Sequence, residues 1–399
     1  MRSNVSVWNG VHLKRPPLRI FYVSTALSVT ALGDSLLYTI LPSYYPHLGL
    51  TPFHVGVLLS VNRWIRLGTN HMAEHCYQRY PSPLWLILAF FVGSFVTAVY
   101  GIAQNFLIFL GARILWGVSF SFIRQAGIMT AVSSGPKVNI GERMGYYYGI
   151  NGIWLTAGVL LGGLSHDIFG FSFTFVVLSI LSLVGMPLGI LSQKGLKWLE
   201  NPPVKNVLQK GDVGIILCGF AVGIVGYGMI ISTMGLILKE QLEESYIIAG
   251  HSIGVATLTG IMLGLHWFTE AIGSPIFGAI ADRIGKEQSI LFLFFIGTIA
   301  MITAGIYLDP ILLFVIMPVI FICNTTLSTL LSSQAGLLGT RSVASFATTL
   351  DLGMSFGPLL GWSIVQLGFP TNYIFILSGT FYIIGAMIFF RKFRNLKIN

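Results

Sequence analysis

Ionisable residues stand in this chain within long apolar runs, and two pairs of them are spaced to share a helix face. Arg63 and Arg66 are three residues apart and His266 and Glu270 four apart, so each pair would point one way from an α-helix. Asp34, Arg113, Arg124 and Asp351 stand singly in similar surroundings. A guanidinium pair suits a carboxylate or another planar anion, because its N–H donors form fixed forks. A carboxylate withdrawn from water can take up and release a proton, which makes Asp34, Glu270 and Asp351, with His266, candidates for proton handling. With histidine neutral these positions hold four positive and three negative charges, so internal pairing need not consume every arginine. The same residues could instead form ion pairs that hold helices in register.

A second chemistry is written at 71–75. His71-Met-Ala-Glu74-His75 fits H-x-x-E-H, in which two histidines one helical turn apart bind zinc and the glutamate acts as base. Cys76 follows directly. No acidic ligand stands out at a matching downstream position, so neither a metal, a cofactor nor an enzymatic activity is expected.

The elements that must position these residues follow from composition. Of 399 residues 54% are hydrophobic and only 9% charged, against about a quarter charged in soluble chains. This is the composition of a membrane protein. A hydrocarbon core of about 30 Å needs about 20 apolar helical residues per crossing. Twelve such segments can be placed, at 20–45, 52–73, 83–103, 106–130, 145–166, 171–191, 213–237, 254–281, 288–308, 311–335, 343–367 and 371–391. They are continuously apolar rather than alternating, which argues against a barrel. The expected fold class is all-α, a polytopic membrane protein with twelve transmembrane helices. Arg63 falls about 16 Å into its segment at 1.5 Å per residue, near the midplane. Glu270 is similarly deep. Arg124 lies near a segment end, where a side chain snorkels to the interface.

Basic residues orient the chain. Arg2, Lys14, Arg15 and Arg19 precede the first segment; Lys194, Lys197, Lys205 and Lys210 lie in the central loop; Arg391, Lys392, Arg394 and Lys397 close the chain. Arg79, Lys137, Arg143, Arg283, Lys286 and Arg341 fall in the even-numbered short loops, and the opposite side has only Lys239. Both termini and the central loop are therefore expected in the cytoplasm, with the protein in the inner or plasma membrane. The formal charge of +9 reads as topology, with the lipid bilayer as partner and no nucleic acid. The basic N-terminus and first apolar run resemble a secretory signal, but the run is too long and carries Asp34. Cys76, Cys218 and Cys323 suggest no disulfide framework. Tyr146, Tyr147 and Tyr148 are placed at the cytoplasmic interface as an aromatic belt.

The chain divides at its one long polar stretch, 192–212, where Pro202-Pro203 interrupts any helix. This separates a half at 1–191 from a half at 213–399. The halves echo one another: "NHMAEH" at 70–75 aligns with "GAIADR" at 278–283, matching Glu74 to Asp282, and "GVLLGG" at 158–163 aligns with "GPLLGW" at 357–362. One six-helix unit is used twice, giving two pseudo-symmetric halves.

The stretch Gly278-x-x-Ala281-Asp282-Arg283-x-Gly285-Lys286 closely resembles the loop signature of the major facilitator superfamily. Arg113 with Trp116-Gly117 resembles that family's R-x-x-x-G motif on the fourth span. Gly353-x-x-x-Gly357-Pro358-x-x-Gly361 resembles its G-x-x-x-G-P-x-x-G-G motif, normally on the fifth span and here clearer on the eleventh. The fifth span keeps Gly158, Gly162 and Gly163 but has Val159 where the exporter form has proline.

The resemblance implies a secondary active transporter that rocks two halves about a central site at the bilayer midplane. It implies that Gly278, Asp282, Arg283, Gly285 and Lys286, with Glu74 as a weaker counterpart, form a conformational latch on the cytoplasmic side. It also implies that spans three, six, nine and twelve lie outermost; their interiors carry none of the ionisable residues named above. Gly158, Gly162, Gly163, Gly353, Gly357 and Pro358 are then hinge or packing residues. On this reading Arg63, Arg66, Arg113 and Asp34 bind the substrate, and Glu270, His266, Asp34 and Asp351 couple protons. The partners are protons and a small molecule: an organic anion or amphiphilic metabolite such as a carboxylate siderophore. The protein is expected to be a monomer. The alternative is a multidrug or cation–proton exporter that recognises its substrate with Asp34 or Glu270. A membrane receptor without transport is the reading from another class. No G-x-x-x-x-G-K-[ST] signature is present for ATP drive. Trp64, Trp116, Trp154 and Trp267 are read as packing or cavity residues, and Asn324-Thr325-Thr326 as bonding a substrate or a neighbouring helix.

Overall fold

A computed structural model describes residues 17–80, 82–134, 140–194, 212–242, 245–248, 251–338 and 340–398. With no water in a bilayer core, backbone N–H and C=O groups must bond within their own segment, and these apolar runs accordingly form helices. The first set comprises α1 (Leu18–Tyr44), α2 (Pro52–Arg79), α3 (Leu84–Ile102), α4 (Phe106–Ser133), α5 (Ile140–Phe169), α6 (Phe171–Ser182) and α7 (Gly185–Gln193). The second comprises α8 (Asp212–Val222), α9 (Ile231–Leu242), α10 (Val255–Phe268), α11 (Ser274–Ile284), α12 (Lys286–Ile306), α13 (Pro310–Leu338), α14 (Thr340–Gln366) and α15 (Asn372–Ile398).

Local chemistry sets several helix starts. Thr51 accepts a hydrogen bond from the His54 backbone N–H at 3.3 Å while its own N–H donates to His54 Nδ1, a reciprocal cap on α2. Asn105 caps α4 through the Ile108 N–H at 2.9 Å. Gly285, at φ 117°, makes the tight turn between α11 and α12, a conformation open to glycine.

Among the described residues ten segments are long and apolar enough to cross a membrane by length and composition. α2 and α14 are not among them, although they span 28 and 27 residues. Their polarity is the reason, since they carry Arg63, Arg66 and Asp351, and the two helices pack along one another.

Two departures from regular α-helix stand inside the second set. Residues Gly223–Ile230 join α8 to α9 as a π-helical segment, and Thr269–Gly273 join α10 to α11 as a π-helical turn. Such wide turns recur at functional positions. A short antiparallel hairpin, β1 (Ser245–Ile248) with β2 (His251–Gly254), precedes α10. No strand is expected from the sequence; this one lies in the connection between α9 and α10.

The two sets meet along two seams, α2 against α14 and α5 against α10. At the second seam the backbones come so close that neither Gly163, against Ala256, nor Gly260, against Val159, has room for a side chain. Within the second set Gly357 lies against Gly228 in the same way. Gly158 and Gly162 instead admit Leu32 and Leu36 of α1.

Candidate functional site

A cavity of about 540 Å³ lies between the two sets. Its walls come from α1, α2, α4 and α5 on one side and from the π segments, α9, α10, α13 and α14 on the other. None of its lining residues lies on α3, α6, α7, α12 or α15. Asp34, Arg63, Arg66, Arg124, Glu270 and Asp351 all face it.

Two ion pairs organise these charges. Asp34 on α1 pairs with Arg113 on α4, and Asn62 Nδ2 donates to the same carboxylate oxygen at 3.4 Å. Arg113 is fully buried, its Nε donating to the Leu58 carbonyl at 2.7 Å and its Nη1 lying 3.4 Å from the Tyr100 hydroxyl. It does not line the cavity. The placement of Arg113 at the substrate therefore gives way to a structural one: it ties α4 to α1 and α2. Arg124 differs in the opposite sense. Rather than snorkelling, it lines the cavity and reaches Asp351 of α14 at 3.5 Å. Helix α4 directs it inward, where a carboxylate from the other set answers its charge.

Arg63 and Arg66 have no carboxylate partner among the described residues. Arg63 Nη1 donates to the Met354 carbonyl of α14 at 3.0 Å and its guanidinium lies 5.5 Å from the centre of the Tyr38 ring. Arg66 lies 5.1 Å from the Phe120 ring centre, with Nε buried and unpartnered. Cation–π contact holds each guanidinium while leaving N–H donors for a ligand.

Glu270 sits in the π-helical turn, deep in the protein, yet its side chain keeps 42% of its surface accessible because it faces the cavity. His266 was expected beside it in the cavity and is instead sealed off. Its ring is fully buried among Tyr227, Trp267 and Phe321, with centroids 5.0, 5.2 and 5.0 Å away. Its Nε2 lies 3.9 Å from Glu270 Oε2, and neither ring nitrogen has a hydrogen-bond partner. The one-turn spacing brings the two side chains together but not to one surface, because the aromatic neighbours close over the histidine.

Uncharged residues complete the walls. Tyr147 and Tyr148 line the cavity instead of forming an interfacial belt, Tyr147 with its ring packed on Gly127 of α4. Trp267 and Tyr227 also line it, whereas Trp116 is buried, Trp64 packs edge-on against Phe356 at 4.5 Å, and Trp154 is exposed. Tyr38, Asn62 and Tyr227 carry no charge and were not singled out in the sequence; the glycine-rich run Gly223-Ile-Val-Gly226-Tyr227-Gly228 was the available signal for the last. Asn324 serves its neighbouring helix, accepting from the Tyr382 hydroxyl at 2.9 Å.

Among the described residues, three hydrogen-bonded contacts join the sets at the loop ends away from Arg79, Arg143 and Arg283. There Asp167 at the end of α5 accepts from the Thr257 N–H and hydroxyl at 2.8 and 2.5 Å, capping α10. Lys239 donates to the Ser43 carbonyl at 3.1 Å, and the Phe53 N–H donates to Gln366 at 3.1 Å.

Of the latch candidates, Arg283 is exposed, Gly278 has open space beside it, and Lys286 donates to Ser333 of α13 at 2.9 Å, within its own set. The side chain of Asp282 lies outside the described residues. Glu74 accepts from Gln78 one turn along α2 at 3.2 Å. His71 and His75 are exposed, and among the described residues no three His, Cys, Asp or Glu side chains gather as metal ligands.

The model of the Major Facilitator Superfamily matches residues 23–358 of the chain. Multidrug resistance protein MdtG of Rahnella sp. (strain Y9602) is 24% identical over 375 residues, covering 86% of each chain. Multidrug resistance protein 2 of Bacillus subtilis (strain 168) is 22% identical over 370 residues, covering 90% of each. Among solved structures, a bacterial homolog to the human lysosomal transporter Spinster, in an inward-facing and unoccupied conformation, matches with a TM-score of 0.74 and 13% identity. That match covers 96% of this chain and 98% of the other, and at this identity it speaks to the fold.

Proposed function

Because the chain belongs to the Major Facilitator Superfamily and is a multi-pass membrane transporter rather than an enzyme, we propose that it is a secondary transporter moving a small organic anion or amphiphilic metabolite, a carboxylate siderophore included, in exchange with or alongside protons. One observation carries this reading. Arg63 and Arg66 face a cavity between the two helix sets and, among the described residues, form no ion pair with a carboxylate. Rings of Phe120, Tyr148 and Trp267 line the same space and suit an apolar body attached to the anionic group.

In this reading the helices before and after the central loop are two halves that rock about the cavity, with α2 and α14 completing twelve crossings. Both termini face the cytoplasm. The Asp167 and Lys239 contacts close the outer side, and the Asp282 loop closes the inner side in the opposite state. Glu270 and Asp351 carry the coupling proton, and one chain suffices for transport. A screen of organic anions against cationic drugs by thermal shift on purified protein, followed by counterflow in proteoliposomes, tests the assignment. Stabilisation by anions with counterflow of the same compounds supports it; stabilisation by cations alone overturns it.

A second reading is export of cationic drugs. It is favoured by the names of the two multidrug-resistance relatives and by the accessible carboxylate of Glu270 among aromatic walls. On that reading Glu270→Gln abolishes binding while Arg63→Gln leaves it unchanged.

A further inference from the structure

The charges of the cavity fall at two ends once the internal pairs are set aside. Asp34 is engaged by Arg113 and Asp351 by Arg124. Arg63 and Arg66 on α2, and Glu270 in the π-helical turn after α10, keep no partner of permanent opposite charge among the described residues. Both arginines line the cavity, and Glu270 keeps 42% of its side-chain surface accessible toward it. The two ends line one cavity, with Tyr227 in the same lining.

Unpaired charge inside a protein is costly, and opposite charges usually settle that cost by meeting. Here they are held apart on helices of different sets, α2 and the α10 turn, with the cavity between them. His266 cannot take the role of counter-ion for Glu270 while its ring is enclosed by Tyr227, Trp267 and Phe321 and its nearest approach is 3.9 Å. A ligand with an anionic group alone would answer the arginines and leave Glu270 as it is.

We infer that the site takes a dipolar substrate, with a carboxylate on Arg63 and Arg66 and a protonated amine on Glu270, held across an apolar body. This rests on the anion reading above and narrows its substrate class to zwitterions. Each charged group of the ligand meets an opposite charge that lines the cavity, where a charge-assisted hydrogen bond is stronger than a neutral one.

The test uses three probes that share one ring: phenylpropanoate, phenylethylamine, and phenylpropanoate bearing a para-aminoethyl group. Binding to the purified full-length protein is measured by calorimetry, on wild type, Glu270→Gln and Arg63→Gln, with folding checked by thermal unfolding. The two-charge probe is expected to bind the wild type at least about tenfold more tightly than either single-charge probe. Glu270→Gln should bring it level with phenylpropanoate, and Arg63→Gln level with phenylethylamine. If phenylpropanoate binds the wild type as tightly as the two-charge probe, the anion reading stands and the dipolar one is overturned. If phenylethylamine binds best, both fall. The wild-type comparison decides the matter even if a variant does not fold.

Discussion

Arg124 on α4 and Asp351 on α14 meet across the cavity at 3.5 Å, each still partly open to it, at 33% and 21% side-chain exposure. The pair joins the two helix sets at the wall of the cavity between them. A partly solvated pair of this kind contributes on the order of 1 kcal/mol. It can therefore form and break within a transport cycle.

Exchanging the partners, Arg124→Asp with Asp351→Arg, is expected to restore part of the transport lost in either single neutral variant, Arg124→Gln or Asp351→Asn. A double-mutant cycle on uptake rates in proteoliposomes reads the coupling, expected at roughly 1 kcal/mol. Additive losses would remove the pair from the cycle.

Arg63→Gln and Arg66→Gln should weaken anion binding by more than tenfold, a loss on the order of 2 kcal/mol or more for a charged hydrogen bond. Arg113→Gln should act on stability instead. It strands Asp34 beside a buried, emptied site, at a cost on the order of 3 kcal/mol. Calorimetric binding and thermal unfolding of the same three variants separate the two roles. Equal stability losses in all three would merge them.

Glu270→Gln should abolish accumulation driven by a pH gradient while sparing exchange of a substrate that carries only an anionic group, such as phenylpropanoate. Glutamine resembles the protonated carboxyl in shape and cannot cycle its proton. Parallel gradient-driven and exchange assays check this, and normal accumulation by the variant would dismiss Glu270 from the coupling step.

Asp167→Asn should loosen the seam between the end of α5 and α10, because the carboxylate holds the N-terminal end of α10 through two bonds to Thr257. Loss of such a cap costs about 1 kcal/mol. Single cysteines placed around Ser43 and Gln366 should then react faster with an impermeant thiol reagent. Unchanged labelling rates would show that the cap does not restrain the opening.

The sequence by itself determined the solvent, the class of fold and the family. A chain with so few charges has no alternative to lipid, and lipid admits continuous apolar runs only as helices. Arg63, Arg66, Asp34, Glu270 and Asp351 were legible as site candidates because a charge in such a run is costly enough to be conspicuous. Only the tertiary structure decided which of them remain available to a ligand. Helical spacing places side chains on a face of their own helix but says nothing of what the neighbouring helix presents there. Asp34 and Arg113 are 79 positions apart, and no local pattern pairs them. The same limit hid the enclosure of His266, the inward turn of Arg124 and Tyr148, and the role of uncharged Tyr38 under Arg63. Each depends on packing between distant segments, where van der Waals contact and charge pairing select one partner from many that the chain order leaves equally possible.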